Sequence, residues 1–432
     1  FRNMPEPPGA TVRGWMRIVG HVVSALICLV GVSHAFTLNT AVRTLPRTQS
    51  KCPLVLMQLS DMQSKLESMK AAAAARTPFS EAELDSAVGS LQCLAPEADV
   101  DWVALRTLYA SRAHLNHKVW SDTETSAEQL AAILGGPSDA PFRQMFARVL
   151  DGGSWDAAAA FAASRPTDAK PWIVLVTGLN GIRKTTSINE HWFKELLQQA
   201  LGAQYEGEPP EMLPAGGDSF FRQLDFMIAT VALNEFKTLY TIEDVALYAA
   251  LKEAIFARYR TIAEMLGVLL VRAAQREGIS VMVETSGRDV GMYQYIEHLQ
   301  PDDAYRKLVV NFAINDLSFA EKSVDSRMLL EMRFGRAALA RADSEPLGLV
   351  KANAGGPYGS AVLAGVQADS VRVWQSIVAG GEGDVGHGWH KASIAIEARE
   401  NAPWRARAVI APADGTTAAT PTPYEFGSVG TA

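Results

Sequence analysis

The stretch VTGLNGIRKTTS, residues 176–187, decides the fold. It follows an apolar, β-branched run, PWIVLVTG (171–178), that ends on glycine and reads as a buried strand. It precedes TTSINEHWFKELLQQAL (185–201), whose Ile188, Trp192, Phe193, Leu196, Leu197 and Leu201 fall on one face of a helix. Strand, glycine-bearing loop and helix in that order form a phosphate cradle. Glycines let the backbone turn tightly, its N–H groups point inward, and the helix N-terminus lies behind them. The pattern G-x-x-x-x-G-K-[ST] fits at Gly178, Gly181, Lys184 and Thr185, with Arg183 standing where the second glycine belongs. On this reading Gly178, Asn180, Gly181, Ile182, Arg183, Lys184, Thr185 and Thr186 surround a nucleotide. Lys184 reaches the β- and γ-phosphates, and Thr185 offers its hydroxyl to Mg²⁺. Arg183 leaves two alternatives. If its position needs a positive φ, the residue is strained there. If it needs ordinary helical angles, arginine fits and its guanidinium adds a phosphate contact.

The whole chain bounds the remaining choices. Its 432 residues are 48% hydrophobic and 20% charged, which suits a globular protein with more than one domain. A formal net charge of −7 and the lack of a long basic run argue against nucleic acid as a partner. Cys28, Cys52 and Cys93 supply neither a zinc spacing nor a disulfide framework. No internal repeat is evident, no Asn-Lys-x-Asp follows a strand as a GTPase requires, and no G-x-S-x-G elbow marks a hydrolase.

The first 60 residues read as an address. Residues 1–35 comprise an upstream segment and, from Met16, a signal peptide. Arg17 is its positive end, Ile18 to Val32 its apolar stretch, and Ser33-His34-Ala35 its cleavage site. Residues 36–60 carry no acid, the composition of a transit peptide. Together with Phe36 directly after the cleavage site, they resemble the two-part plastid address of algae with secondary plastids. Secretion is the alternative, and no stable membrane insertion of the mature protein is expected.

Residues 61–165 are rich in helix formers and read as a helical N-terminal region. Ser80 followed by Glu83 gives a capping signal. From 166 to 412 strands alternate with helices. ISVMVE ends a strand at Glu284, RKLVVNFAIND is another, and KASIAIEARE and WRARAVIAP alternate like strands. That order predicts a parallel sheet with helices on both faces. GGDSFFRQLDFMIATVALNEF (216–236) reads as one helix, with Asp218 at its N-cap, and residues 413–432 as a disordered tail.

Three segments in chain order carry a family resemblance: GLNGIRKTT (178–186), GGDSFFRQ (216–223) and VMVETSGRD (281–289). Over roughly residues 170 to 340 the chain resembles the zeta-toxin-like P-loop kinases. The resemblance implies an α/β P-loop NTPase-type parallel sheet with flanking helices, behind the helical N-terminal region. It implies ATP and Mg²⁺ as cofactors, Asp218 as general base, and Arg222 as a positioner of substrate or phosphate. Glu284 then holds the Mg²⁺ shell or orients substrate, with Arg288 following it. The family's glycine directly after the glutamate is displaced here, in Glu284-Thr285-Ser286-Gly287-Arg288. Arg327, Arg333 and Arg336 suit either a lid that closes on phosphates or a solvated helix face. His387 and His390 flank Trp389 in a glycine-rich loop without an evident third metal ligand. The expected activity is transfer of the γ-phosphoryl of ATP to a hydroxyl of a small-molecule acceptor. A binding, assembly or ATPase module on the same fold is the alternative.

Overall fold

A computed structural model describes residues 53–202, 204, 210–216, 220–221, 224–380, 385–410 and 419–426. The signal-peptide reading and most of the transit-peptide reading lie outside the described residues, as do Asp218 and Arg222. Most of what is described belongs to one compact unit, Met57–Ala432.

Helices come first: α1 (Pro53–Ala75), α2 (Glu81–Leu94), α3 (Trp102–Arg112), α4 (Trp120–Leu134), α5 (Ala140–Met145), α6 (Ala147–Gly152) and α7 (Trp155–Ser164). Then β1 (Trp172–Gly178) runs through the P-loop into α8 (Lys184–Ile188) and α9 (Trp192–Ala200). After them come β2 (Phe220–Phe221), α10 (Leu224–Val231), α11 (Leu233–Leu239), α12 (Val245–Glu277), β3 (Val281–Glu284), α13 (Gly291–Leu299) and β4 (Arg306–Ile314). The chain continues through α14 (Leu317–Leu339), α15 (Leu347–Ala352) and α16 (Leu363–Val378) to β5 (His390–Glu397), β6 (Trp404–Ile410) and β7 (Ala419–Phe426).

The strands form one sheet in the order β2-β3-β1-β4-β5-β6-β7. From β2 to β5 the neighbours are parallel, whereas β6 and β7 add on antiparallel. Strand β1 is buried along its whole length and serves both faces. Ile173 and Leu175 enter one core, which continues into α12 and the N-terminal helices, while Trp172, Val174 and Val176 enter the other, with residues of α9, α14 and α16. That is the period-2 alternation of a strand packed between two helical layers. The chain reverses direction across the sheet at β1, whose neighbours are β3 and β4. Ligand crevices in such sheets open at the carboxyl ends of the strands beside that reversal. Val176 stands beside Glu284 in the β1–β3 register, so the end of β3 borders the P-loop.

The structure differs from the sequence expectations in two segments. The 216–236 segment is not one helix, because Phe220–Phe221 pairs with β3 as strand β2. The tail expected to be disordered contributes β7. Pro421 and Pro423 fall where the β6–β7 register shifts, between the pairs Ala408–Thr420 and Ala406–Tyr424. That arrangement is tolerated because β7 lies at the sheet's edge.

The helical region is joined to α12 by buried polar bonds as well as apolar contact. Arg258 of α12, itself buried, donates to both oxygens of Glu83 (2.7 and 2.9 Å), to Thr77 O (2.7 Å) and to Pro78 O (3.1 Å). Glu83 also completes the capping box of α2 with Ser80. A second joint lies where Glu124 of α4 meets Arg272 of α12 and His298 of α13. Burial pushes the Glu124 carboxyl upward, but hydrogen bonds from His298 and Arg272 outweigh it and hold the group below the usual carboxylate range. A depressed carboxyl contributes stability above its unfolded pKa and loses it as pH falls through the folded one. Glu124→Gln is therefore expected to cost about 1 kcal/mol in urea denaturation at pH 7, given the exposure of its partners, and almost nothing near pH 3. An equal cost at both pH values would contradict the role given to this carboxylate.

Candidate functional site

The loop between β1 and α8 has the backbone of a phosphate cradle. Gly178 has φ 123°, and a Cβ there would lie 2.3 Å from the Phe312 carbonyl oxygen of β4. Gly181 has φ 84°, and its Cβ would lie 2.5 Å from the Ala320 carbonyl oxygen of α14. Both contacts are with backbone, which cannot swing aside, so only glycine fits either position.

Arg183 answers the question left by the sequence. It adopts φ 63° and ψ 29°, the left-handed region, as the N-cap of α8. The position is thus one that glycine would occupy without strain. The guanidinium lies 5.4 Å from the ring centroid of Trp404 on β6, as in a cation–π contact. Burial lowers its pKa. Left-handed backbone costs a non-glycine residue roughly 1–2 kcal/mol, against about 0.5–1 kcal/mol returned by stacking on an indole. Arg183→Gly is therefore expected to change stability by less than about 1 kcal/mol, with Mg-ATP affinity kept. Arg183→Val, β-branched and unable to relax there, is expected to cost roughly 1–3 kcal/mol. Urea denaturation and nucleotide titration check both; loss of affinity in Arg183→Gly would return the guanidinium to the phosphates.

Lys184 is buried, at 4% exposure, and its ammonium donates to Gly178 O (2.8 Å) and Leu179 O (2.9 Å), 3.5 Å from Glu284 Oε1. Burial lowers its pKa, the Glu284 carboxylate opposes that, and Arg327 adds to it. Thr185 Oγ1 donates to Glu284 Oε2 at 2.7 Å. A lysine, a threonine hydroxyl and a carboxylate thus meet at the carboxyl ends of β1 and β3.

The displaced glycine after Glu284 has a packing reason. Gly287 has φ 70°, and a Cβ there would lie 2.7 Å from Thr177 Cβ. The segment is tied to β1 by Thr285 N donating to Val176 O (2.9 Å) and Gly178 N donating to Ser286 O (3.3 Å). Thr177 itself donates to Asn311 Oδ1 at 2.9 Å. The turn after Glu284 therefore lies against the P-loop's first residues, and glycine is needed where it passes Thr177.

Asp225, at the start of α10, is a further candidate that sequence reasoning missed. It follows β2, and its charge interacts with Lys252, Arg327, Arg260 and Glu284. Burial dominates and raises its carboxyl pKa, with the three cations pulling downward and Glu284 pushing upward. Arg327 of α14 joins the same cluster through its charge interactions with Lys184 and Asp225. No hydrogen bond or ion pair engages its guanidinium among the described residues.

The other candidates are placed elsewhere. Arg333 is exposed, with its guanidinium 5.6 Å from the ring centroid of its own neighbour Phe334, and Arg336 is likewise exposed. Their helix turns these two outward and Arg327 inward. Arg288 is exposed and donates to Tyr358 OH at 2.8 Å. Asp218 and Arg222 lie outside the described residues. His387 is exposed, whereas His390 opens β5 with its ring centroid 5.5 Å from that of Trp172.

Among the described residues no three His, Cys, Asp or Glu side chains gather as a metal-ligand group. Mg²⁺ does not require one, since it keeps several waters and takes one or two protein oxygens beside phosphate oxygens. The Thr185 hydroxyl and Glu284 carboxylate are hard oxygen donors of that kind. ATP and Mg²⁺ thus fit the residues present.

Strand order, cradle geometry and the residues at the strand ends define the class: an α/β fold of P-loop NTPase type, preceded by a helical region. The chain matches no protein-family model and no curated protein. A solved structure from the PezAT chromosomal toxin–antitoxin system of Streptococcus pneumoniae shares 12% identity with it, with a TM-score of 0.30, over 57% of this chain and 78% of that one. At that score the likeness adds nothing to what the geometry says.

Proposed function

We propose that the protein binds Mg-ATP and transfers its γ-phosphoryl group to a hydroxyl of a small-molecule acceptor. The observation that carries this reading is the Thr185–Glu284 contact at 2.7 Å beside the buried Lys184, at the mouth of a glycine-dependent loop. In the proposed complex Lys184 leaves the Gly178 and Leu179 carbonyls and turns to the β- and γ-phosphates. The loop's backbone N–H groups face the phosphate oxygens. Thr185 and Glu284 would hold Mg²⁺, which would neutralise phosphate charge. Asp225 accepts the proton of the acceptor hydroxyl as its oxygen bonds to the γ-phosphorus. The bond from that phosphorus to the β,γ-bridging oxygen breaks, ADP departs, and Arg327 faces the charge that builds on the transferring oxygens. Such chemistry is mostly positioning and charge neutralisation, which the cluster supplies.

The acceptor pocket is built from loops, and its chemistry is open to direct test. Full-length protein incubated with γ-labelled ATP and a metabolite extract is expected to yield a labelled small molecule. Label released only as free phosphate would point to an ATPase, and no turnover to a binding module.

A further inference from the structure

Behind the proposed phosphate site lies a buried ion pair that the proposed reaction does not use. Lys252 of α12 and Glu331 of α14 are both 2% exposed in their side chains. The Lys252 ammonium lies 2.7 Å from each oxygen of Glu331, 2.9 Å from Asn353 Oδ1 and 2.7 Å from Gly355 O. Glu331 also accepts from Tyr248 OH at 2.6 Å and from Ala354 N at 2.9 Å. The pair is therefore fully hydrogen-bonded, and half of its bonds go to the short segment 353–355.

That segment touches the backbone of Asp225 and the guanidinium of Arg327. Asn353 Nδ2 donates to Asp225 O at 3.0 Å. Gly355 has φ 137°, and a Cβ there would lie 2.9 Å from Arg327 Nη1, so the guanidinium rests against bare backbone. Arg327 stands four residues before Glu331 on α14, hence one helical turn away on the same face. Lys252 also feels the charges of Arg327 and Asp225 directly.

We infer that Lys252 and Glu331 are positioning residues: they pin the 353–355 segment as a backbone rest that aims Arg327, unbonded among the described residues, at the γ-phosphate position. A buried ion pair is weak evidence for stability, because apolar residues of equal volume often serve as well. Retaining one here makes sense if it fixes a particular geometry. The inference rests on the nucleotide-site reading above.

Titration calorimetry of the full chain with Mg-ATP and Mg-ADP tests it without knowledge of the acceptor. The wild type is expected to favour Mg-ATP at least about tenfold, the size of one charge-assisted bond to the extra phosphate. Arg327→Met should lose that preference. The double variant Lys252→Met/Glu331→Leu, which leaves no lone buried charge, should lose it too. So should Gly355→Ala, whose methyl group meets the guanidinium and strains the φ 137° backbone without removing Lys252 or Glu331. In all three, Mg-ADP affinity should stay within about threefold, since Lys184 is untouched. Gly355→Ala added to Arg327→Met should cause no further loss. A preference retained in both Gly355→Ala and the double variant, while Arg327→Met loses it, overturns the positioning role and leaves the nucleotide site standing. An equal drop for both nucleotides means a merely structural role and also overturns it. A wild type that binds neither nucleotide removes the site reading itself, and a wild type without preference removes the aim at the γ-phosphate. Should the double variant fail to fold by circular dichroism, Gly355→Ala decides alone.

Discussion

Lys184→Ala is expected to weaken Mg-ATP binding by at least about 100-fold, roughly 3 kcal/mol, the worth of a charge-assisted contact to clustered phosphates. The ammonium already lies inside the loop, bonded to Gly178 O and Leu179 O and 3.5 Å from Glu284. Burial lowers its pKa and makes the charged form costly, with the Glu284 carboxylate opposing that. Phosphate oxygens would oppose it further, which is why affinity is expected to depend on this one side chain. Calorimetry reads the loss, and an unchanged circular dichroism spectrum separates it from unfolding. Equal affinity in wild type and variant would remove Lys184 from the site.

Asp225→Asn is expected to lower phosphoryl transfer by about 10²–10⁴-fold, the usual contribution of a general base, with Mg-ATP affinity little changed. The pH dependence follows from the direction of its shift. Burial holds the carboxyl above its ordinary value despite Lys252, Arg327 and Arg260. The base must be ionised, so the rate should fall as pH drops through a pKa above the usual aspartate range, and Asp225→Asn should flatten that limb. Stability runs the other way. A carboxyl with a raised folded pKa favours the fold at low pH and loses that contribution as pH rises from its unfolded pKa through its folded one. Where the group is ionised it therefore costs stability, and Asp225→Asn is expected to raise the thermal midpoint at alkaline pH while it removes activity. A variant that keeps full transfer rates would show that another group takes the proton.

How far the site could be read in advance depended on how local each signal was. The P-loop was legible because its chemistry is contiguous: Gly178, Gly181, Lys184 and Thr185 lie within eight residues, between a buried strand and a helix. Glu284 was legible as the polar end of an apolar strand. Asp225 was not, because Phe220–Phe221 is too short to show any alternation. Read as helix, the segment makes Asp218 a cap; once β2 is present, Asp225 is the acid that follows a strand's carboxyl end. Arg327 and Arg333 were indistinguishable as arginines on one helix. The discriminating signal was Glu331, a carboxylate on the same face as Met328, which could have marked the inward side. Its partner Lys252 lies 79 residues earlier, and no local pattern announces such a pair. Arg183 was ambiguous for a different reason. Backbone angles decide its role, and a single side-chain identity does not fix them. The tail read as disordered supplies an edge strand, and its two prolines are compatible with that place.

The central claim, that Lys184, Thr185 and Glu284 form a magnesium–nucleotide site, is tested most directly by titrating the full-length protein with ATP in the presence and absence of magnesium. Saturable one-site binding is expected with magnesium. Removing the metal or making Glu284→Gln is expected to weaken it by about tenfold or more, since either change breaks the link between phosphate and carboxylate. Binding that is absent altogether, or that is indifferent to both magnesium and Glu284, would contradict the account.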